Sequence, residues 1–289
     1  MLRKRIKNIR YAVEYSLMRI FLGAISIFPY KQRVERGGAV LGMLMANVKP
    51  ARQRIEDNLH NIHPDMNRDE IRRITKRVGV NFGRTFVEIL NNDLSKKFPD
   101  LRHPSGPGLQ ILRDVAVAGT GAIIVSGHFG QWDAARLYLK SEGIEVGAIY
   151  RPSNNRYFDR IFVPQIEHAG KPAFPSGRRG TTEMVRHVRA GGMVAILLDQ
   201  RFGKGESLDF MGQPALTSTA AASIALKYDL PMIPVYGTRR AGSLHVDIVF
   251  EAPIPHTDAT TMTQAANDSL KVQVLRNPEQ WYWLHNRWS

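Results

Sequence analysis

Residues 122–133 read Ala122-Ile-Ile-Val-Ser-Gly-His128-Phe-Gly-Gln-Trp-Asp133. A short apolar run closed by Ser126-Gly127 is a strand pattern, and the helical spacing that follows over residues 131–142 makes the stretch a strand, a tight loop and a helix. Working outward, the unit recurs. Strand patterns fall at 146–150, 194–198, 232–238 and 244–250, a short extended segment at 172–174, and helical patterns at 155–169, 181–190 and 218–228. Alternating strands and helices predict an α/β fold with a mainly parallel central sheet flanked by helices.

Upstream the pattern changes. Residues 31–95 read as helices: an apolar, small-residue stretch at 37–48, a charged one at 52–60, and at 69–91 a helical spacing of Ile71, Ile74, Val78, Phe82, Phe86 and Ile89 with Asn67 or Asp69 as cap. Residues 99–107, with Pro104 and Gly106, read as loop. The expected organisation is an N-terminal segment, 1–30, and one domain over 31–289, divided into a helical subregion, 31–95, and an α/β region, 108–289.

The chain has 289 residues and 43% hydrophobic content, enough for a substantial core. It has no cysteine, which excludes disulfides, thiolate catalysis, zinc ribbons and iron–sulfur ligation. A net charge of +14 calls for anionic partners. Residues 1–80 hold 17 Lys+Arg and 7 Asp+Glu, a net +10, whereas the rest holds 23 and 19, a net +4. Half of that +10 comes from Arg3, Lys4, Arg5, Lys7 and Arg10, which stand without an acid before an apolar stretch at 17–30 whose uncharged core is 20–28. That is too short for a hydrocarbon layer needing about 20 residues. A basic segment lying on an anionic membrane fits the composition best; a buried first helix and a cleaved signal are the alternatives. Nucleic-acid binding would require basic residues interleaved with stacking aromatics or a recognition helix, and the charge stands beside an apolar segment instead.

Functional groups in α/β sheets gather where strands end. His128 lies there, and Asp133 follows five residues later, at the start of the helix. A carboxylate on one ring nitrogen leaves the other as a base near neutral pH, which suits activation of a hydroxyl nucleophile. The plain alternative is that both residues cap backbone donors. No G-x-S-x-G, H-E-x-x-H, G-x-G-x-x-G or Walker A pattern occurs, so neither a usual hydrolase elbow nor a metal, NAD or ATP site is expected.

Further segments stand in order behind this one: Tyr150-Arg151-Pro152 with Asn154-Asn155, Leu197-Leu198-Asp199-Gln200, and Asn277-Pro-Glu-Gln-Trp-Tyr-Trp-Leu-His-Asn-Arg-Trp288. Together with His128 and Asp133 they resemble the bacterial lipid A biosynthesis acyltransferases. These late lauroyl or myristoyl enzymes belong to the lysophospholipid acyltransferase superfamily, to which mycobacterial phosphatidylinositol mannoside acyltransferases are also similar. The resemblance implies a glycerol-phosphate acyltransferase-like fold and acyl transfer from acyl carrier protein, or from coenzyme A, to a hydroxyl of a membrane glycolipid, a lipid A precursor first; another glycolipid or a lysophospholipid as acceptor, and a lipid thioesterase or hydrolase with water as acceptor, are the alternatives. The thioester is a co-substrate and no separate cofactor is implied. The implied location is the cytoplasmic face of a bacterial inner membrane.

Residue by residue, the resemblance makes His128 the base and Asp133 its orienting carboxylate. Arg151 would take a phosphate or the carrier's phosphopantetheine linkage, with Asn154 and Arg156 as companions. Asp199 would position His128, Arg151 or an acceptor hydroxyl, or simply cap its loop, with Gln200 and Arg201 beside it. Backbone amides at 127–130, or a cation, would stabilise the oxyanion. The basic loops at 176–180 and 201–204 are candidate contacts for phosphates or an acidic carrier. Trp281, Trp283 and Trp288 would pack the C-terminal run onto the sheet or sit at a lipid interface, with Arg287 facing the cleft.

Overall fold

A computed structural model describes residues 2–288, with side chains from Ile6 onward. The side chains of Arg3, Lys4 and Arg5 lie outside that range. The N-terminal part is helical: α1 (Leu2–Ser26), α2 (Tyr30–Asn47), α3 (Lys49–Ile62), α4 (Arg68–Ile89) and the short α5 (Asn92–Ser95). Asn67 caps α4, its Oδ1 accepting from the Glu70 N–H at 2.9 Å. The small-residue stretch becomes a helix-contact surface. A Cβ on Gly42 would come within 2.7 Å of the Val80 backbone, and one on Gly83 within 2.5 Å of the Gly38 carbonyl oxygen. Glycine costs a helix about 1 kcal/mol per residue, and here the backbones of α2 and α4 approach as no side chain would allow.

The α/β part runs β1 (Arg102–Ser105), α6 (Gly108–Ala118), β2 (Ala122–Ser126), α7 (Ala134–Ser141), β3 (Val146–Tyr150), α8 (Arg156–Ala169), β4 (Ala173–Pro175), α9 (Arg178–Arg189) and β5 (Met193–Leu197). It continues with β6 (Glu206–Phe210), β7 (Gln213–Thr217), α10 (Ala220–Tyr228), β8 (Met232–Arg239), β9 (Val246–Phe250) and α11 (Ala259–Arg276). Seven strands form one sheet in the order β1-β9-β8-β2-β5-β3-β4. All its ladders are parallel except β8 with β9. The mainly parallel, helix-flanked α/β sheet is therefore present, with the antiparallel pair near one edge. β6 and β7 form a separate hairpin. The 99–107 segment is not all loop: Pro104 lies in β1, an edge strand, where its missing N–H interrupts no inner ladder.

Successive residues of β2 enter opposite layers. Ile123 and Val125 pack with Met184, Val188 and Ala222 of α9 and α10. Ala122 and Ile124 pack with Leu109, Leu112 and Leu139 of α6 and α7. The helical part joins at the sheet's end, where Ile55, Leu59, Ile74 and Val78 share a cluster with Phe129, Tyr236, Trp281 and Trp283. Along α1, Ile9, Val13, Leu17 and Ile20 are 52–67% exposed. No helix among the described residues is long and apolar enough to cross a membrane.

Candidate active site

Strand register builds the site. Ser126 of β2 is paired with Leu197 of β5, and His128 and Asp199 each stand two residues further along. Adjacent strands lie about 4.8 Å apart, so the two side chains emerge next to each other. His128 Nδ1 lies 2.8 Å from Asp199 Oδ1, and the His128 backbone N–H donates to Asp199 Oδ2 at 2.8 Å. Trp281 Nε1–H donates to the same Oδ2 at 2.8 Å. Gly127 leaves room for this approach, since a Cβ there would be 3.2 Å from the Asp199 carboxyl carbon and 2.7 Å from Leu270.

Asp199 is only 3% exposed. Burial opposes its charge, but the His128 imidazole and the three donors outweigh burial, and its pKa falls below the ordinary carboxylate value. An ionised Asp199 accepting from Nδ1–H leaves Nε2 of His128 with a free lone pair. The His128 side chain is 22% exposed, so that nitrogen is reachable.

Asp133 does not meet His128. It is 6% exposed and occupies the N-cap position of α7, where it accepts from Arg136 Nη1 at 2.8 Å and Asn92 Nδ2 at 3.2 Å. Arg136, equally buried, also donates to the carbonyls of Val146, Ile166 and Gly170. A buried guanidinium needs a counter-charge, and the carboxylate one turn before it provides that charge while tying α7 to α5, β3 and α8. The carboxylate on the imidazole is that of Asp199, one of the alternatives considered for this residue.

Of the other residues singled out in the sequence, Gln200 is beside the imidazole, its Nε2 3.4 Å from His128 Nε2. Arg201 joins through its backbone N–H, which donates to His285 Nε2 at 2.7 Å. His285 is half-buried, and burial with the nearby cations lowers its pKa, so the neutral ring that this bond requires is favoured. Arg151 is exposed past the end of β3. Asn154 stands further along that loop, lining a cavity against α1, and Arg156 opens α8, resting on Tyr157.

Of the backbone amides expected to serve an oxyanion, at 127–130, those of His128, Phe129 and Gly130 already donate to Asp199, Gly127 and Gln280. Trp281 and Trp283 are buried packing residues rather than a lipid belt. Arg287 is buried and engaged, donating to Leu216 O and Thr217 Oγ1 and holding the β6–β7 hairpin.

Half-buried aromatic rings continue outward from His128. Trp132 and Tyr282 flank the imidazole at 5.3 and 6.0 Å, and Phe82, Phe86, Phe158 and Phe162 follow ring by ring along α4 and α8. The enclosed space at His128 is only about 10 Å³. A larger cavity lies elsewhere, between α1 and residues 153–155.

The chain matches the family described as bacterial lipid A biosynthesis acyltransferase over residues 2–289. It is 23% identical over 272 residues to a lipid A biosynthesis acyltransferase of Haemophilus influenzae, covering 91% of this chain and 84% of that protein. It is 23% identical over 268 residues to the lipid A biosynthesis lauroyltransferase of Escherichia coli, covering 89% and 85%. A phosphatidylinositol mannoside acyltransferase of Mycobacterium tuberculosis is 23% identical over 186 residues, 63% of this chain and 58% of that protein. With a match that runs almost from end to end, the chain belongs to the bacterial lipid A biosynthesis acyltransferase family.

Proposed function

We propose that this chain transfers a fatty acyl group from acyl carrier protein to a hydroxyl of a lipid A precursor, with His128 as general base and Asp199 as the carboxylate that orients it. The observation that carries the mechanism is the 2.8 Å contact between Asp199 and His128 Nδ1. It turns Nε2 outward as the unprotonated nitrogen. The acceptor oxygen gives its proton to Nε2 while attacking the thioester carbonyl carbon. The tetrahedral intermediate collapses, the C–S bond breaks, and the imidazolium protonates the departing thiolate. General-base assistance of this kind is worth roughly 10²- to 10⁴-fold. The Gln200 side-chain amide, beside Nε2, is the donor for the oxyanion, and three of the four backbone amides at 127–130 are engaged elsewhere.

The acyl chain lies along the row from Trp132 and Tyr282 to Phe162, since the space at His128 is too small to hold it. The exposed apolar stripe and basic residues of α1 rest on the anionic cytoplasmic face of the inner membrane, where the acceptor is found. Arg151 and Arg201, both exposed, face the anionic groups of donor and acceptor.

The deciding experiment incubates purified protein with a panel of acyl carrier protein thioesters and, as acceptors, lipid A precursors and phosphatidylinositol mannosides, and reads products by mass spectrometry. An acylated precursor is expected with the wild type and none with His128→Ala, at equal folding. Near-normal turnover by His128→Ala overturns the assignment of the base. Product on phosphatidylinositol mannosides alone overturns that of the acceptor.

A further inference from the structure

A cavity of about 620 Å³ lies between the N-terminal helix and the loop that joins β3 to α8. One wall is the face of α1 that carries Lys7, Arg10 and Tyr11; the other is Ser153, Asn154 and Asn155. The two walls are tied together. Asn155 Nδ2 donates to the Tyr11 carbonyl at 2.9 Å and to Glu14 Oε2 at 3.2 Å. The cavity is therefore built by a side chain buried at its base and is not a gap between unconnected parts. Its volume lies within the range of about 300–1,000 Å³ usual for small-molecule sites.

The lining is cationic and rich in donors. Lys7 stands over the Tyr11 ring, and Arg10 is paired on one side with Glu14 while its guanidinium remains largely exposed. The carboxylates nearby are engaged: Glu14 by Arg10 and Asn155, and Asp159 by the Ser153 N–H. The Asn154 amide and Ser153 hydroxyl add neutral donors suited to sugar or glycerol hydroxyls, beside a cation pair suited to phosphate.

Helix geometry says from where such a ligand arrives. At 3.6 residues per turn, the face bearing Lys7, Arg10, Tyr11 and Glu14 is turned roughly 115° from the exposed stripe Ile9, Val13, Leu17 and Ile20. A helix lying with that stripe in a bilayer holds the cavity sideways, at the level of the headgroups. We propose that the cavity between α1 and the β3–α8 loop binds the headgroup of an anionic phospholipid, one whose phosphate charge is not neutralised by an amine, in the membrane surface on which α1 rests. The inference depends on the surface attachment proposed above, and the test separates the two.

Full-length protein is partitioned onto vesicles of phosphatidylcholine alone and of phosphatidylcholine with phosphatidylglycerol, and the ratio of the two affinities is the readout. The wild type is expected to prefer the phosphatidylglycerol vesicles by about tenfold or more, at roughly 1 kcal/mol for each of two cations. Lys7→Gln with Arg10→Gln should abolish most of that ratio. Asn154→Trp, which obstructs the cavity without altering charge, should lower it several-fold; an unchanged ratio overturns the proposal in favour of plain surface attraction. Glycerol phosphate in solution should compete only weakly; binding as tight as that to vesicles makes this a soluble-phosphate site and overturns the lipid source. The triple variant Ile9→Ser, Val13→Ser and Leu17→Ser should weaken binding to both vesicle types. If it binds both like the wild type, the attachment itself fails, whatever the cavity variants do.

Discussion

Asp133 and Asp199 are both buried carboxylates, and asparagine at either removes a charge with little change of shape. At Asp199 the change takes away the ionised acceptor that fixes the imidazole, so kcat is expected to fall about 10²- to 10⁴-fold with a small change in melting temperature. At Asp133 it strips the counter-charge from buried Arg136, and a loss of about 3 kcal/mol or more in stability is expected, with activity surviving in the fraction that stays folded. Initial rates and thermal melts on both variants check this; a rate defect in Asp133→Asn without a stability defect reverses the assignment. His285 gives a pH test. Its folded pKa lies below the ordinary value near 6.5, so the folded protein binds fewer protons there than the unfolded chain and stability rises with pH. That contribution is present above the ordinary value and fades as pH falls through it, because the unfolded chain takes up the proton while the folded ring stays neutral to keep accepting from Arg201. Melts between about pH 7.5 and 5 should show a steeper acid loss in the wild type than in His285→Gln, which keeps an acceptor without titrating; His187, also lowered by burial, is common to both and cancels. His128 was legible from sequence because it ends an apolar strand. Its partner was not, because sequence spacing favoured Asp133, whereas strand order puts β5, and with it Asp199, beside β2.

At the scale of elements, the parallel strands were readable because each is a short apolar run between helices. The β6–β7 hairpin was hidden behind a turn whose first left-handed residue is Met211, followed by Gly212, where Asn-Gly would have announced it. Helix α11 buries Met262, Ala266, Leu270 and Val274 at four-residue spacing, but the polar Thr263 and Asn267 share that face and mask the apolar period in the sequence. Those polar groups are satisfied, Thr263 Oγ1 by the Ala259 carbonyl and Asn267 Nδ2 by the Asp209 carbonyl, and so can be buried. The aromatic row along α4 and α8 is an element-level device, and it makes a prediction about chain length. Each methylene laid against it is worth about 0.8 kcal/mol, near fourfold in affinity. Phe158→Ser with Phe162→Ser should therefore reduce kcat/KM for long acyl thioesters far more than for short ones, measured across a series of donors. A uniform loss at every length removes the row from chain recognition.

Across the whole molecule, the helical part and the sheet are joined by more than contact. Glu88 of α4 and Arg239 of β8 form a buried ion pair, and Arg239 and Thr85 connect it to the carbonyl of Gly130 beside the site. Glu88→Gln leaves Arg239 buried and unpaired, so a stability loss of about 3–5 kcal/mol is expected by chemical denaturation; a loss below about 1 kcal/mol makes the pair incidental. The charge asymmetry was legible from composition, but its pairing with an apolar stripe on a single helix needed the fold. The hydrogen bond from Trp281 to Asp199 spans 82 residues. At roughly 5–20 residues per second, a ribosome needs about 4–16 s to go from one to the other. During that interval α1 has already been made, while His128 and Asp199 exist without the segment that braces them. On the surface attachment and the base proposed above, location precedes competence: the nascent chain would be put in place first and become a working catalyst only when its Trp281–His285 stretch folds back.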